Sequence, residues 1–120
     1  MRKIKLEFRK VITENSFFNT MKVMFLLPNY FSYNYDSLDE CMRDLSWIEE
    51  DNILVKVENL SNVKDKNINL YNKIIESIEI YTKFWDNSNK KSVRFIIDDD
   101  GSQYKQRHYN EKRTREPING

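Results

Sequence analysis

Four carboxylates, Asp36, Asp39, Glu40 and Asp44, stand close together directly behind the aromatic residues Tyr30, Phe31, Tyr33 and Tyr35. A pair such as Asp36 and Glu40, four residues apart, could divide general acid and base work. The same carboxylates could instead accept charge-assisted hydrogen bonds from the Arg and Lys side chains of a partner. The rest of the sequence does not complete a catalytic centre. His108 is the single histidine and stands in a polar stretch without a base or a metal partner in its spacing. Cys41 falls in step with Leu38, Met42 and Leu45, which makes it a small buried hydrophobe with an inert thiol rather than a nucleophile. Gly101 and Gly120 are the only glycines, so no phosphate-cradling glycine loop exists. Asp98-Asp99-Asp100 could attract a divalent cation. Such a run is more often a solvated turn, and no further ligand spacing supports it. These residues predict neither an enzyme nor a bound metal or cofactor.

Charge sharpens the choice. The 120-residue chain has a formal net charge of +1, with 20 Lys and Arg against 19 Asp and Glu. Residues 1–29 carry six basic and two acidic groups, residues 30–58 eight acidic and two basic, and residues 101–120 five basic and two acidic. A local field of one sign steers partners of the other even on a near-neutral molecule. Nucleic acid does not suit an aromatic loop bordered by carboxylates, which repel phosphate. The basic residues Lys105, Arg107, Lys112, Arg113 and Arg115 fit a solubilising tail better than an RNA-binding one. One cysteine excludes an internal disulfide, and the start lacks a signal-peptide pattern, which predicts a cytoplasmic protein. No apolar run reaches the ~18 residues of a membrane span.

The elements that must position the carboxylates follow from periodicity. Ile4, Leu6 and Phe8 alternate with Lys5, Glu7 and Arg9, a strand with one buried face. Thr13 to Ser16 offers N-caps for a helix carrying Phe17, Phe18, Met21, Met24 and Phe25, which Pro28 is expected to stop. Tyr30 to Tyr35 reads as a loop. A helix starting at Asp36 or Ser37 turns Leu38, Cys41, Met42 and Leu45 inward and spreads Asp36, Asp39, Glu40, Arg43 and Asp44 over the other face. Asp36–Glu40 and Glu40–Asp44 are like-charge i,i+4 pairs, each costing a few tenths of a kcal/mol, which Arg43 relieves only in part. Ile53 to Val57 reads as a strand, residues 59–67 as a polar loop, and Leu70 to Trp85 as a long helix. Val93 to Ile97 reads as a third strand. The order predicts an α/β fold, a small three-stranded parallel sheet packed with helices, over residues 1–100. Asp98 to Gly101 suits a turn, and residues 101–120 a polar, mobile or loosely docked tail. One copy is expected to act alone, without homo-oligomers.

On these residues a partner-binding surface and a merely wet helix face explain the acids about equally well. Pro28 to Trp47, with Tyr30, Phe31, Asn34, Tyr35, Asp36, Leu38, Cys41, Asp44, Leu45 and Trp47, resembles the signature of the barstar family. Its members are intracellular inhibitors of secreted, guanyl-preferring ribonucleases of the barnase type. The resemblance is specific over residues 28–47 and compatible from about 3 to 98. It implies an immunity protein whose loop and acidic helix plug a basic active site in a heterodimer, with carboxylates in the place of phosphates. By the same resemblance Tyr30 matches the family's contacting tyrosine, Asp36 its acid at the helix start, and Glu40 its central acid in longer form. Asp39 stands where the type protein has a tryptophan, Asp44 where it has a glycine, and Ser32 replaces a loop glycine. A further family acid on the later helix falls to Glu76 or Glu79. The expected contact set is therefore Tyr30, Tyr33, Asp36, Asp39, Glu40, Arg43 and Asp44, with Glu79 the weakest member. A regulatory module with a non-nuclease partner is the alternative on the same residues.

Overall fold

The computed structural model describes residues 1–98. The elements run β1 (Arg2–Glu7), α1 (Glu14–Met24), α2 (Tyr35–Met42), β2 (Asn52–Glu58), α3 (Leu60–Lys66), α4 (Ile68–Asp86) and β3 (Ser92–Asp98). The three strands form one parallel sheet in the order β1-β2-β3. Ile4 stands opposite Val55, and Val55 opposite Phe95. This is the expected α/β architecture. The alternation fixes which face is buried: Ile4, Leu6, Ile53, Val55, Val57, Val93, Phe95 and Ile97 are buried beneath the helices. The other face carries exposed Lys3, Lys5, Lys56 and Arg94. Parallel sheets are usually covered on both sides. Among the described residues this one is covered on one, with its charges cross-linked as Lys5–Glu58 at 3.3 Å, Lys56–Glu58 at 3.5 Å and Lys56–Asp98 at 3.0 Å.

Several local expectations are corrected. Pro28 does not stop α1. The helix ends at Met24, and Leu26 takes a left-handed conformation (φ 55°). Leu27 N–H then reaches back to the Lys22 carbonyl at 3.0 Å and Leu26 N–H to that of Val23 at 3.4 Å, a Schellman closure made without glycine. Leu45 is buried but not on the α2 stripe. α2 ends at Met42, and a second left-handed residue, Leu45 itself (φ 52°), turns the side chain into the core. Residues 59–67 are not a loop: they hold α3, whose Leu60 and Val63 are its only buried apolar residues. Long-range amide bonds hold α3 in place. Asn59 Nδ2 donates to Glu7 Oε2 at 2.7 Å, Asn62 Nδ2 to the Arg9 carbonyl, and Asn67 Nδ2 to the Ile12 carbonyl at 3.0 Å. Asn67 also caps α4 by accepting from Leu70 N–H at 3.2 Å. The expected turn at 98–101 and the tail lie outside the described residues.

A non-glycine residue in the left-handed region costs roughly 1–2 kcal/mol. Leu26 is 56% exposed, so its side chain offsets little of that cost. Leu26→Gly should therefore raise the urea midpoint, by about 0.5–1 kcal/mol of stability at unchanged m-value. Leu45→Gly should instead lower stability by about 2–5 kcal/mol, because it empties a core position.

Candidate partner-binding site

The acidic helix starts one residue earlier than the sequence suggests, at Tyr35, because Asn34 caps it. Asn34 Oδ1 accepts from Ser37 N–H at 2.8 Å, and Ser37 Oγ accepts from Ser32 N–H at 2.9 Å. The two bonds clamp loop and helix into one unit. The loop lies on α1 through its aromatic rings. Phe31 is buried with its ring edge-on to Phe18 at 6.0 Å, and Tyr35 stands edge-on to Phe18 at 4.9 Å. Tyr35 Oη donates to Glu14 Oε2 at 3.2 Å. Burial first, then the Glu14 carboxylate and more distantly that of Glu76, push the Tyr35 phenol far above its usual range. Tyr33, in a left-handed turn (φ 54°), donates from Oη to Asn19 Oδ1 at 2.8 Å. Lys22 Nζ lies 5.5 Å from the centre of its ring. Tyr33 thus faces α1 and stands apart from the acids.

Tyr30 is different: it is 54% exposed and leans on the other flank of α2. Its phenol lies beside the Cys41 thiol and near Asp44 and Glu40. Desolvation first, then these neighbours, raise its pKa. Cys41 itself is buried, and burial followed by the charge of Glu40 pushes its thiol up, away from the reactive thiolate. The structure therefore brings Tyr30, Glu40 and Asp44 together, with Asp36 one turn before Glu40. Asp36 and Glu40 are exposed and make no hydrogen bond or ion pair among the described residues. Asp44 is exposed and accepts from Ser46 N–H at 3.3 Å.

Asp39 and Arg43 do not share this display as the helical wheel suggests. Asp39 is half-buried against α4 and accepts a 2.6 Å hydrogen bond from Tyr81 Oη. Arg43 is the C-cap of α2, and its Nε donates to the Asp39 carbonyl at 3.2 Å. Trp85 Nε1 donates to the Met42 carbonyl at 2.8 Å, so α2 lies alongside α4 along its length. After α2, Trp47 Nε1 donates to the Phe25 carbonyl at 2.9 Å and ties this stretch to the end of α1. Of the two candidate acids on α4, Glu76 lies on the Tyr35 side. Glu79 and Glu76 both line a shallow depression with Asn69, Asn72, Lys73 and Ile75. Tyr81 and Trp85 hold α2 in place, a role the helical stripe of α4 does not suggest by itself. The signal was available: a Tyr or Trp in a buried stripe needs a partner for its polar atom.

A family model described as Barstar (barnase inhibitor) matches residues 1–98. The chain belongs to the Barstar family. The match spans the whole sheet and all four helices, so it covers the acidic loop-helix and the α4 residues that hold it. No curated protein matches the chain significantly. Among the described residues no group of His, Cys, Asp and Glu has a metal-binding arrangement, and no helix is long and apolar enough to cross a membrane.

The Tyr81 hydroxyl links the site to stability. Burial, and then the bond to Asp39, hold its pKa far above the ordinary phenol value near 10. The unfolded chain releases this proton first. Stability from this group is therefore complete below pH ~10 and is lost above it, at about 1.4 kcal/mol per pH unit. Tyr81→Phe should cost about 1 kcal/mol at neutral pH and should flatten the alkaline fall by that slope. Urea titrations from pH 8 to 11.5 measure both effects.

Proposed function

We propose that this chain inhibits a basic ribonuclease by inserting α2 and the loop before it into the enzyme's phosphate-binding cleft. One observation carries the reading. Asp36 and Glu40 are exposed, unpaired among the described residues and one helical turn apart, on a helix anchored at both ends, beside the exposed ring of Tyr30. Carboxylates so placed can accept charge-assisted hydrogen bonds, bidentate ones from Arg, from the Arg and Lys groups that such a cleft directs at phosphate. The Tyr30 ring supplies rigid contact area, and little side-chain entropy is lost on docking. The description of the family as barnase inhibitors supports the same partner class. Asp39 then acts as a positioning group for α2, and Asp44 adds to the field at the Tyr30 flank. In this reading the chain is an immunity protein of the toxin-producing cell, working in its cytoplasm as one half of a heterodimer. The inhibitory unit is residues 1–100, and the reaction needs no cofactor.

Titration against a panel of purified basic ribonucleases should find at least one inhibited stoichiometrically. Asp36→Ala with Glu40→Ala should weaken that complex by roughly 1,000-fold or more, since each removal strands desolvated cations on the enzyme. Raising salt from 50 to 500 mM should slow association much more than it speeds dissociation. Undiminished inhibition by the double variant would show that α2 is not the contact.

A further inference from the structure

α2 is held differently at its two ends. Its last turn is fixed by Trp85, which bonds to the Met42 carbonyl. Its first turn, Tyr35 to Leu38, carries Asp36 and is tied inward by two side chains, the buried Leu38 and the half-buried Tyr35. The Tyr35 ring lies against Phe17 and Phe18 of α1, at 6.4 and 4.9 Å between ring centres, with Lys73 Nζ of α4 at 5.5 Å from its own centre. A phenylalanine would fill the same place. What the tyrosine adds is Oη, which donates to Glu14 Oε2 at 3.2 Å. Glu14 is exposed in the first turn of α1 and makes no ion pair among the described residues. Successive side chains of a helix point ~100° apart, so the direction of Tyr35 sets that of Asp36. Oη stands at the far end of a stiff side chain, and holding it there resists rotation of the first turn about the helix axis. Asp36 has no hydrogen bond or ion pair of its own among the described residues to do this, and the like charge of Glu40 pushes against it.

We propose that Tyr35 is a positioning residue of the inhibitory surface: its bond to Glu14 fixes the first turn of α2 on α1 and so holds Asp36 at the angle at which it meets a cation of the ribonuclease. The proposal rests on the inhibitor reading and adds to it a pair of residues that act without touching the enzyme. Tyr35 and Glu14 work through Asp36, lowering what binding costs in ordering that carboxylate.

The test uses the full chain and whichever ribonuclease of the panel it inhibits, with association and dissociation rates measured separately. Tyr35→Phe keeps the ring and removes the bond. It should speed dissociation about threefold to tenfold, the worth of one hydrogen bond, and leave association unchanged, since no charge is altered. Glu14→Ala should match it in dissociation rate, and Tyr35→Phe should add nothing to Glu14→Ala. Glu14→Gln keeps an acceptor in place and should dissociate within about twofold of the wild-type rate. In the Asp36→Ala background Tyr35→Phe should cost less than about twofold, a result that a merely structural role does not give. Glu14 lies on the surface, so its variants report even if Tyr35→Phe is poorly folded; urea midpoints check all of them. Equal losses from Tyr35→Phe with and without Asp36, or equal losses from Glu14→Gln and Glu14→Ala, overturn the positioning role. So does wild-type binding by Tyr35→Phe and Glu14→Ala alongside lost binding by Asp36→Ala with Glu40→Ala, which leaves the inhibitor reading standing. Wild-type binding by every variant, or no ribonuclease inhibited, overturns both.

Discussion

Tyr81 and Trp85, one turn apart on α4, each donate a hydrogen bond to α2: one to the Asp39 carboxylate and one to the Met42 carbonyl. The acidic display depends on this pair. An eight-residue helix is too short to be stable alone, and the repulsion among Asp36, Glu40 and Asp44 weakens it further. The Trp85 bond satisfies one of the carbonyls that a helix end leaves without a partner. The Tyr81 bond holds Asp39, the carboxylate nearest the core, in place. Asn34 holds the other end by accepting from Ser37 N–H. Repelling charges on α2 therefore keep a fixed spacing because neutral donors, not neighbouring cations, fix the helix under them.

The backbone around α2 is held in the same way from outside. Left-handed residues stand before, within and after this stretch, at Leu26, Tyr33 and Leu45. Each is an unfavourable conformation that the surroundings must impose. Leu45 is offset by burial of its own side chain, and Tyr33 by its bond to Asn19. Trp47 then closes the circuit by bonding to the carbonyl of Phe25, next to Leu26. Chain reversals at both ends of the site are thereby linked, which makes the site one rigid piece rather than a loop followed by a helix.

How much of this could be read from the sequence depended on the range of the interactions. The strands were legible because Ile4, Leu6 and Phe8, and again Ile53, Val55 and Val57, bury every second side chain. The long α4 was legible because its stripe repeats over five turns. α3 was not, since two apolar residues in seven give no period. What holds it are amides reaching from Asn59, Asn62 and Asn67 to residues 7–12, more than 50 positions away. The stop of α1 was assigned to Pro28 because a left-handed leucine has no local signature. At the site, residue type placed Asp36, Asp39 and Glu40 together, whereas packing separates them. Asp39 lies on the flank that α4 covers, and only the need of Tyr81 for an acceptor distinguishes it from its neighbours.

Among the described residues the cations beside α2 do not pair its exposed acids. The chain has 20 Lys and Arg, enough to pair every carboxylate. On the open face of the sheet it uses them so, tying Lys5 and Lys56 to Glu58 and Asp98. Around α2, among the described residues, it does not. Lys22 and Lys73, the lysines flanking the loop-helix, lie over the rings of Tyr33 and Tyr35, each at 5.5 Å from the ring centre. A cation over an aromatic face is attracted to the ring and leaves nearby carboxylates free. Arg43 turns its Nε to a backbone carbonyl. A fold selected only for stability would gain a few tenths of a kcal/mol from each i,i+4 ion pair on this helix. Among the described residues Asp36 and Glu40 forgo that gain, and carboxylates left so keep a local negative potential of the kind that steers a basic partner.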